Sequence, residues 1–282
     1  MTGLTVEEFH ALVPIFHPAF EAYMKRRTID GHVRYCRRYV SYANSPLPTT
    51  EDKLLFILTY LKQNPTQVMH GHIFQMSQSN VSKWVHLLHG ALNYALSQQH
   101  LLPARTADEL AQRLQEEPPP SAAPTPLLPF IHDGVERPIH RPSDKVDREL
   151  YYSGKKKRHT LKNVLIVDEF GAIHFLSDTY EGRVHDKSIA DEAKYSLPTA
   201  SLLYQDVGFR GFDMHGVLVI EPKKKPRYRR LTPQEKANNR RRSSVRVRIE
   251  HVIGKVMETC CGLHNFRIRL KRKEYSENQS KP

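Results

Sequence analysis

Six of the chain's 19 prolines fall between Pro118 and Pro129, in the stretch EPPPSAAPTPLLP. Proline has no N–H to donate and a fixed φ, so neither a helix nor a central strand runs through such a segment. The 282 residues are enough for two modest domains. The prolines mark a boundary, because the hydrophobic period differs on their two sides. The expected organisation is a helical domain over 1–98, a linker over 99–128, a mixed α/β domain over 129–270 and a basic, polar tail over 271–282. Within the linker, residues 108–116 have the composition of a short acidic helix.

The first hundred residues read as helical. In TTEDKLLFILTYLKQ, Thr49 or Thr50 can cap a helix, Glu51 and Asp52 suit its first turn, and Leu54, Leu55, Leu58 and Leu61 recur at helical spacing. After NPTQ, residues Val68, Ile73 and Phe74 precede a break near Met76 and Ser77. A further helix then directs Val81, Trp84, Val85, Leu88 and Leu92 inward. This is the outline of a helix-turn-helix, without the glycine usual in its turn. Gln78, Ser79, Asn80, Ser82 and Lys83 would form the exposed start of the second helix, small and polar enough to reach base edges or phosphates. A plain helical cap with a polar outer face would share this pattern.

Beyond Pro129 short β-type runs take over: LLPFIHDG, TLKNVLIVDE, FGAIHFLSDTY, ASLLYQDVG and HGVLVIEPKK, with a helix at SIADEAKYS. One long helix, EKANNRRRSSVRVRIEHVIGKVMETC, follows. The order predicts a mixed sheet with helices packed on it.

The formal net charge is +13, and residues 221–248 carry +10 of it, as 12 Lys and Arg against 2 Glu. A second basic cluster is GKKKRHTLK, at 154–162. Tyr, Pro and Ser interrupt both, which disfavours a membrane-lying amphipathic helix and favours contact with a phosphate backbone. No run approaches the roughly 18 apolar residues of a membrane span. MTGLTVEEFH is not a signal peptide, and Cys36, Cys260 and Cys261 form no disulfide framework or CxxC pair. A reduced, intracellular protein is expected.

Against that positive charge, three carboxylates stand out. Asp133 in IHDGVERP and Asp206 in YQDVGFRG each follow an apolar run and precede a glycine, so each is expected at a strand end where the backbone opens. Glu250 lies at the edge of an apolar helical face made by Val245, Ile249, Val252, Ile253 and Val256. Three converging oxygen donors in a basic protein suit two Mg²⁺ ions acting on a phosphodiester, with Mn²⁺ as a substitute. Taken singly, the aspartates also read as turn formers and Glu250 as an ion-pair partner of Arg246. Asp186, in GRVHDKSI, reads either as a helix cap or, with His185, as a support beside the metals. His132, Asp133 and His140 match no zinc spacing.

From Asp133 to Gly254 the chain resembles the DDE transposases of bacterial insertion sequences, in the group related to eukaryotic Harbinger elements. DGVERPIHRP is similar to that group's first-aspartate motif, YSGKKKRHTLK to the basic block after it, GRVHDKSI to its glycine-to-His-Asp segment, QDVGFRG to its second-aspartate motif, and RVRIEHVIGKV to its final Arg-x-x-x-Glu helix. TTEDKLLFILTYLKQNPTQ and the following helix-turn-helix resemble its N-terminal domain. Many relatives carry a Tyr and a Lys where this chain has Ser243 and Met257, with Lys255 close to the second.

The resemblance implies an RNase H-like catalytic domain behind an all-α helix-turn-helix domain, and Asp133, Asp206 and Glu250 as metal ligands and catalytic residues. It implies binding of terminal inverted repeats, cleavage of the element end and joining of its 3′ hydroxyl to target DNA, by a homodimer or larger assembly on double-stranded DNA. The expected DNA contacts are Ser79, Asn80, Lys83, Lys155, Lys156, Lys157, Arg158, Arg240, Arg241, Arg242 and Arg246. Such a protein would act in the bacterial cytoplasm, at the nucleoid, with no membrane partner. A nuclease without strand transfer, and a domesticated DNA-binding protein without catalysis, are the alternatives.

Overall fold

The computed structural model describes residues 2–28, 32–35, 39, 45–116, 129–223, 228, 230–250 and 258–279, with the side chains of 242–250, 258 and 274–279 excepted. The chain forms two compact units, Met1–Leu102 with Arg269–Pro282, and Pro103–Ile268.

The N-terminal part of the first unit contains α1 (Val6–Arg26), α2 (Thr50–Gln63), α3 (Gln67–Ile73) and α4 (Gln78–Gln98). Capping boxes start the first two, Thr5 with Glu8 and Thr49 with Asp52, each satisfying two otherwise orphaned N–H groups. Val81, Trp84, Val85, Leu88 and Leu92 are buried on α4, as their spacing requires. On α2 the buried face runs through Leu54, Ile57 and Leu58, with Phe56 also inside, and Leu55 faces out. Val68 and Ile73 of α3 are exposed as well, leaving His70 and Gly71 as its buried residues.

The α3–α4 turn works without a glycine because Gln75 itself takes a left-handed φ of 52°. The glycine this motif needs lies earlier. A Cβ on Gly71 would stand 2.5 Å from the Met76 carbonyl oxygen, so only glycine lets the turn fold back this closely. Ser77 then caps α4, its hydroxyl accepting from the Asn80 N–H.

His70 is fully buried among Phe56, Tyr60 and Phe74, and neither ring nitrogen has a hydrogen-bond partner. Burial lowers its pKa, with the nearby Phe56 backbone opposing. The unfolded chain therefore takes up this proton at a higher pH than the folded one. Its contribution to stability is complete above a pH of about 6.5 and is lost as pH falls below that. Trp84, the single tryptophan, reports on this unit. Its fluorescence-monitored unfolding midpoint should fall from pH 7 to pH 5, and less steeply in His70→Phe. Equal slopes would remove His70 as the cause.

The second unit begins before the expected boundary. Residues 103–116, placed in the linker by their sequence, pack on this unit: Ala104 bridges to Phe175, and the short helix expected near 108–116 is α5 (Ala107–Glu116), which places Leu110 and Leu114 in the core. The reason is a two-residue apolar stripe at i, i+4 on an otherwise polar helix. The proline-rich remainder, 117–128, lies outside the described residues.

The strands are β1 (Pro129–Pro138), β2 (Tyr152–Ser153), β3 (Arg158–Asp168), β4 (Ile173–Leu176), β5 (Tyr180–Glu181), β6 (Ser201–Gln205) and β7 (Val217–Ile220). Helices α6 (Lys145–Leu150), α7 (Asp186–Ala193), α8 (Pro233–Glu250) and α9 (Glu258–Gln279) complete the list. The principal strand order is β4-β3-β1-β6-β7. The pairs β4–β3 and β3–β1 are antiparallel, while β1–β6 and β6–β7 are parallel. This is the mixed sheet of an RNase H-like domain. Because it is covered on both faces, β3 is buried without interruption from Lys162 to Asp168. One face carries Phe130, Val164, Ile166, Leu203 and Phe209 beneath α5 and α7. The other carries Ile131, Val135, Leu165, Val167 and Tyr204, with Cys261 of α9 packed among them.

Two tethers fix α8 and α9. At α8, Thr232 and Glu235 exchange hydrogen bonds across the first turn, and Asn239 bonds both the N–H and the carbonyl of Lys223, just past β7. At α9, Asn265 does the same to Ile173 on the sheet edge, at 2.8 Å for both bonds. The expected polar tail is therefore largely helix, since α9 continues to Gln279.

Candidate active site

The parallel ladder between β1 and β6 runs from Pro129↔Leu202 to His132↔Gln205 and stops. The next residues in register are Asp133 and Asp206. Side chains alternate along a strand, so Asp133 shares the face of Ile131 and Val135, and Asp206 that of Tyr204. Both carboxylates are half-buried. They belong to the same face of the sheet, where the two strands part.

Asp133 itself is not at the end of its strand. β1 runs on to Pro138, still paired with β3, so the backbone opens only on the β6 side. The Gly134 N–H donates to Asp133 Oδ1 at 2.9 Å, which fixes the carboxylate's rotation. Asp206 is extended (φ −84°, ψ 166°) and precedes a single 3-10 turn, Val207–Phe209, without capping it through its side chain.

Helix α8 approaches β1 and β6 and carries Glu250 as the last of its described residues. The side chains of Glu250, Arg242 and Arg246 lie outside the described residues, as do Val245 and Ile249 of the expected apolar face and the segment 251–257. Among the described residues, no three His, Cys, Asp or Glu side chains come together as a metal site.

The opposite face, directly behind the two aspartates, is closed by buried polar groups. His132 is wholly buried and stacks on Phe209 with ring centroids 3.8 Å apart, and its Nε2 meets the Tyr195 hydroxyl. Burial pushes the imidazole down to about 3, with Gln205 opposing, and pushes the Tyr195 phenol up. His132 is thus neutral and structural, and exposed His140 is no partner for it in a metal site.

Beside it lies an ion cluster that sequence reasoning missed. Lys162, expected among the DNA-facing lysines, turns inward: its Nζ is 3.1 Å from Asp186 Oδ1 and 3.6 Å from Glu136 Oε1, and it donates to the Val184 carbonyl at 2.7 Å. Thr160 donates to the other Glu136 oxygen at 3.2 Å. His185, which is exposed, occupies the cap position of α7 but makes no side-chain cap bond, and Asp186 is the first helical residue. The expected capping role is therefore not what Asp186 performs, because its carboxylate is engaged with Lys162.

Residues 132–273 match the family model described as DDE superfamily endonuclease. The chain belongs to that family. Residues 45–98 of this DDE endonuclease match a second model, the helix-turn-helix of DDE superfamily endonuclease, and that span contains α2, α3 and α4. A curated relative from Microchaete diplosiphon, described as a probable transposase for insertion sequence element IS702, is 26% identical over 202 residues, which is 72% of this chain and 67% of the relative. No solved structure matches the chain.

The remaining expected DNA contacts of the DDE endonuclease are exposed. Ser79, Asn80 and Lys83 lie on the first turns of α4. Lys155, Lys156 and Lys157 form the turn between β2 and β3, with Lys157 at a φ of 51°, and Arg158 opens β3. Arg240 and Arg241 lie along α8. No helix among the described residues is long and apolar enough to cross a membrane.

Proposed function

We propose that this DDE endonuclease is a transposase that cuts the ends of a DNA element and joins them to target DNA, using Asp133, Asp206 and Glu250 as one metal-binding triad. The observation that supports this reading best is the register. Asp133 and Asp206 are the pair following the last rung between β1 and β6, on one face, and α8, the helix that carries Glu250, approaches these two strands. Half-buried carboxylates offer hard oxygen donors and nothing softer, which suits Mg²⁺ or Mn²⁺ and not zinc. Bound there, a pair of such ions supplies Lewis acidity to the scissile phosphate and lowers the pKa of the attacking water or 3′ hydroxyl.

The chain's own groups hold the reactants. Gly134 orients Asp133 through its N–H, which donates to one carboxylate oxygen. The lysines of the β2–β3 turn and the arginines of α8 neutralise DNA phosphates that the acidic centre would otherwise repel. No protein nucleophile is involved, and DNA hydroxyls carry the transfer. The start of α4 reads the terminal inverted repeat, and two or more copies hold both ends, in the cytoplasm of a bacterium at its nucleoid.

The test uses labelled DNA carrying the element end, a supercoiled target and Mg²⁺. The reading expects nicked ends and a covalently joined product. Nicking without joining would reduce the function to that of a nuclease, and binding alone would reduce it to that of a DNA-binding protein.

A further inference from the structure

Asp186 reaches the two aspartate-bearing segments from the far side of the sheet. A Cβ built on Gly134 would stand 2.8 Å from both Cγ and Oδ1 of Asp186, and one built on Gly208 would stand 2.7 Å from its Oδ2. One carboxylate therefore packs against the residue after Asp133 and the second residue after Asp206. It fills the gap where β1 and β6 separate, and the glycines of DG and DVG are required by that packing more than by any turn. Neither Gly134 nor Gly208 has a positive φ.

Its charge is incompletely matched. The side chains of Glu136, Lys162 and Asp186 are 6%, 8% and 16% exposed, so two carboxylates share one ammonium in a nearly dry setting. Asp186 Oδ1 has no well-aligned hydrogen bond even at 3.1 Å from Lys162 Nζ. An excess buried negative charge is costly unless a cation lies nearby. The opposite face of the sheet is where Asp133 and Asp206 would place one.

We infer that Asp186 is a positioning residue for the divalent metal site: it sets the separation of the Asp133 and Asp206 backbones through Gly134 and Gly208, and its charge favours the dications held in front of them. This rests on the metal triad proposed above. Outer-shell partners of metal ligands are commonly worth about 10- to 100-fold in metal affinity.

The test is Mn²⁺ binding to the full chain without DNA, followed by electron paramagnetic resonance, alongside DNA affinity and thermal melting. Asp133→Asn serves as control for the triad. Asp186→Asn keeps the Lys162–Glu136 pair neutral. It should fold and bind DNA as wild type while its Mn²⁺ affinity drops about tenfold. Gly208→Ala should weaken Mn²⁺ binding in the wild-type background and have no further effect in Asp186→Ala, where the carboxylate it would strike is gone. If Asp133→Asn abolishes Mn²⁺ binding while Asp186→Asn leaves it unchanged, the inference fails and the triad stands. If Asp133→Asn also leaves it unchanged, the triad itself fails. Should Asp186→Asn not fold, the Gly208→Ala comparison decides, and equal losses in both backgrounds would overturn the contact.

Discussion

Asp206→Asn is expected to leave DNA affinity within about twofold of wild type and to lower the cleavage rate by about 1,000-fold, equivalent to roughly 4 kcal/mol of transition-state stabilisation. The asymmetry follows from what the residue does in the structure. It makes no side-chain cap bond to the turn that follows it, and its segment is held by other groups: Phe209 is buried beneath it, and Gln205 donates to the Phe209 carbonyl. The amide is nearly isosteric, so the fold is kept. It supplies one neutral oxygen where a divalent ion needs an anionic one. In the proposed reading, DNA affinity comes instead from exposed cations elsewhere, including Lys83, Lys155 and Arg240. Gel-shift and single-turnover cleavage assays on the same end-bearing DNA measure the two quantities separately. Parallel losses in both would mean that Asp206 supports the fold and not the chemistry.

Lys162→Met is expected to be the most damaging single change to stability outside the apolar core, at about 3–5 kcal/mol. Methionine fills similar volume but leaves the Asp186 and Glu136 carboxylates facing each other without a cation, at sites too dry for water to screen them. The melting temperature of this unit should fall by about 10 °C. The surface pair Lys187–Asp191 is the contrast: both side chains are more than a third exposed, and losing it should cost under about 1 kcal/mol. A Lys162→Met protein that melts within 2–3 °C of wild type would show that the cluster is solvated and structurally unimportant.

Much of the catalytic unit could be read in advance because it depends on local period. The apolar runs before Asp133 and Asp206 placed strands β1 and β6, and Val81 through Leu92 placed the buried face of α4. Errors arose where one residue type serves two purposes. Gly134 reads as a turn former, yet it stays in the ladder opposite Val164 and exists to admit Asp186. Lys162 reads as one more lysine of a basic block, yet strand alternation puts it inside. No pattern could have joined Glu136, Lys162 and Asp186, because they lie 24 residues or more apart and meet only through strand pairing and the placement of α7. The short helix α5 was legible within the linker, but its packing through Leu110 and Leu114 into the core was not. Gln75 took a left-handed position that sequence alone would give to glycine.

The central claim is that Glu250 completes the site begun by Asp133 and Asp206. Its most direct test is cleavage of labelled element-end DNA by wild type and Glu250→Gln, each with Mg²⁺ and with EDTA. Wild type should cut in Mg²⁺ alone, and Glu250→Gln should lose cutting while binding is kept. Mg²⁺-dependent cutting that survives in Glu250→Gln would contradict the claim and move the third ligand elsewhere.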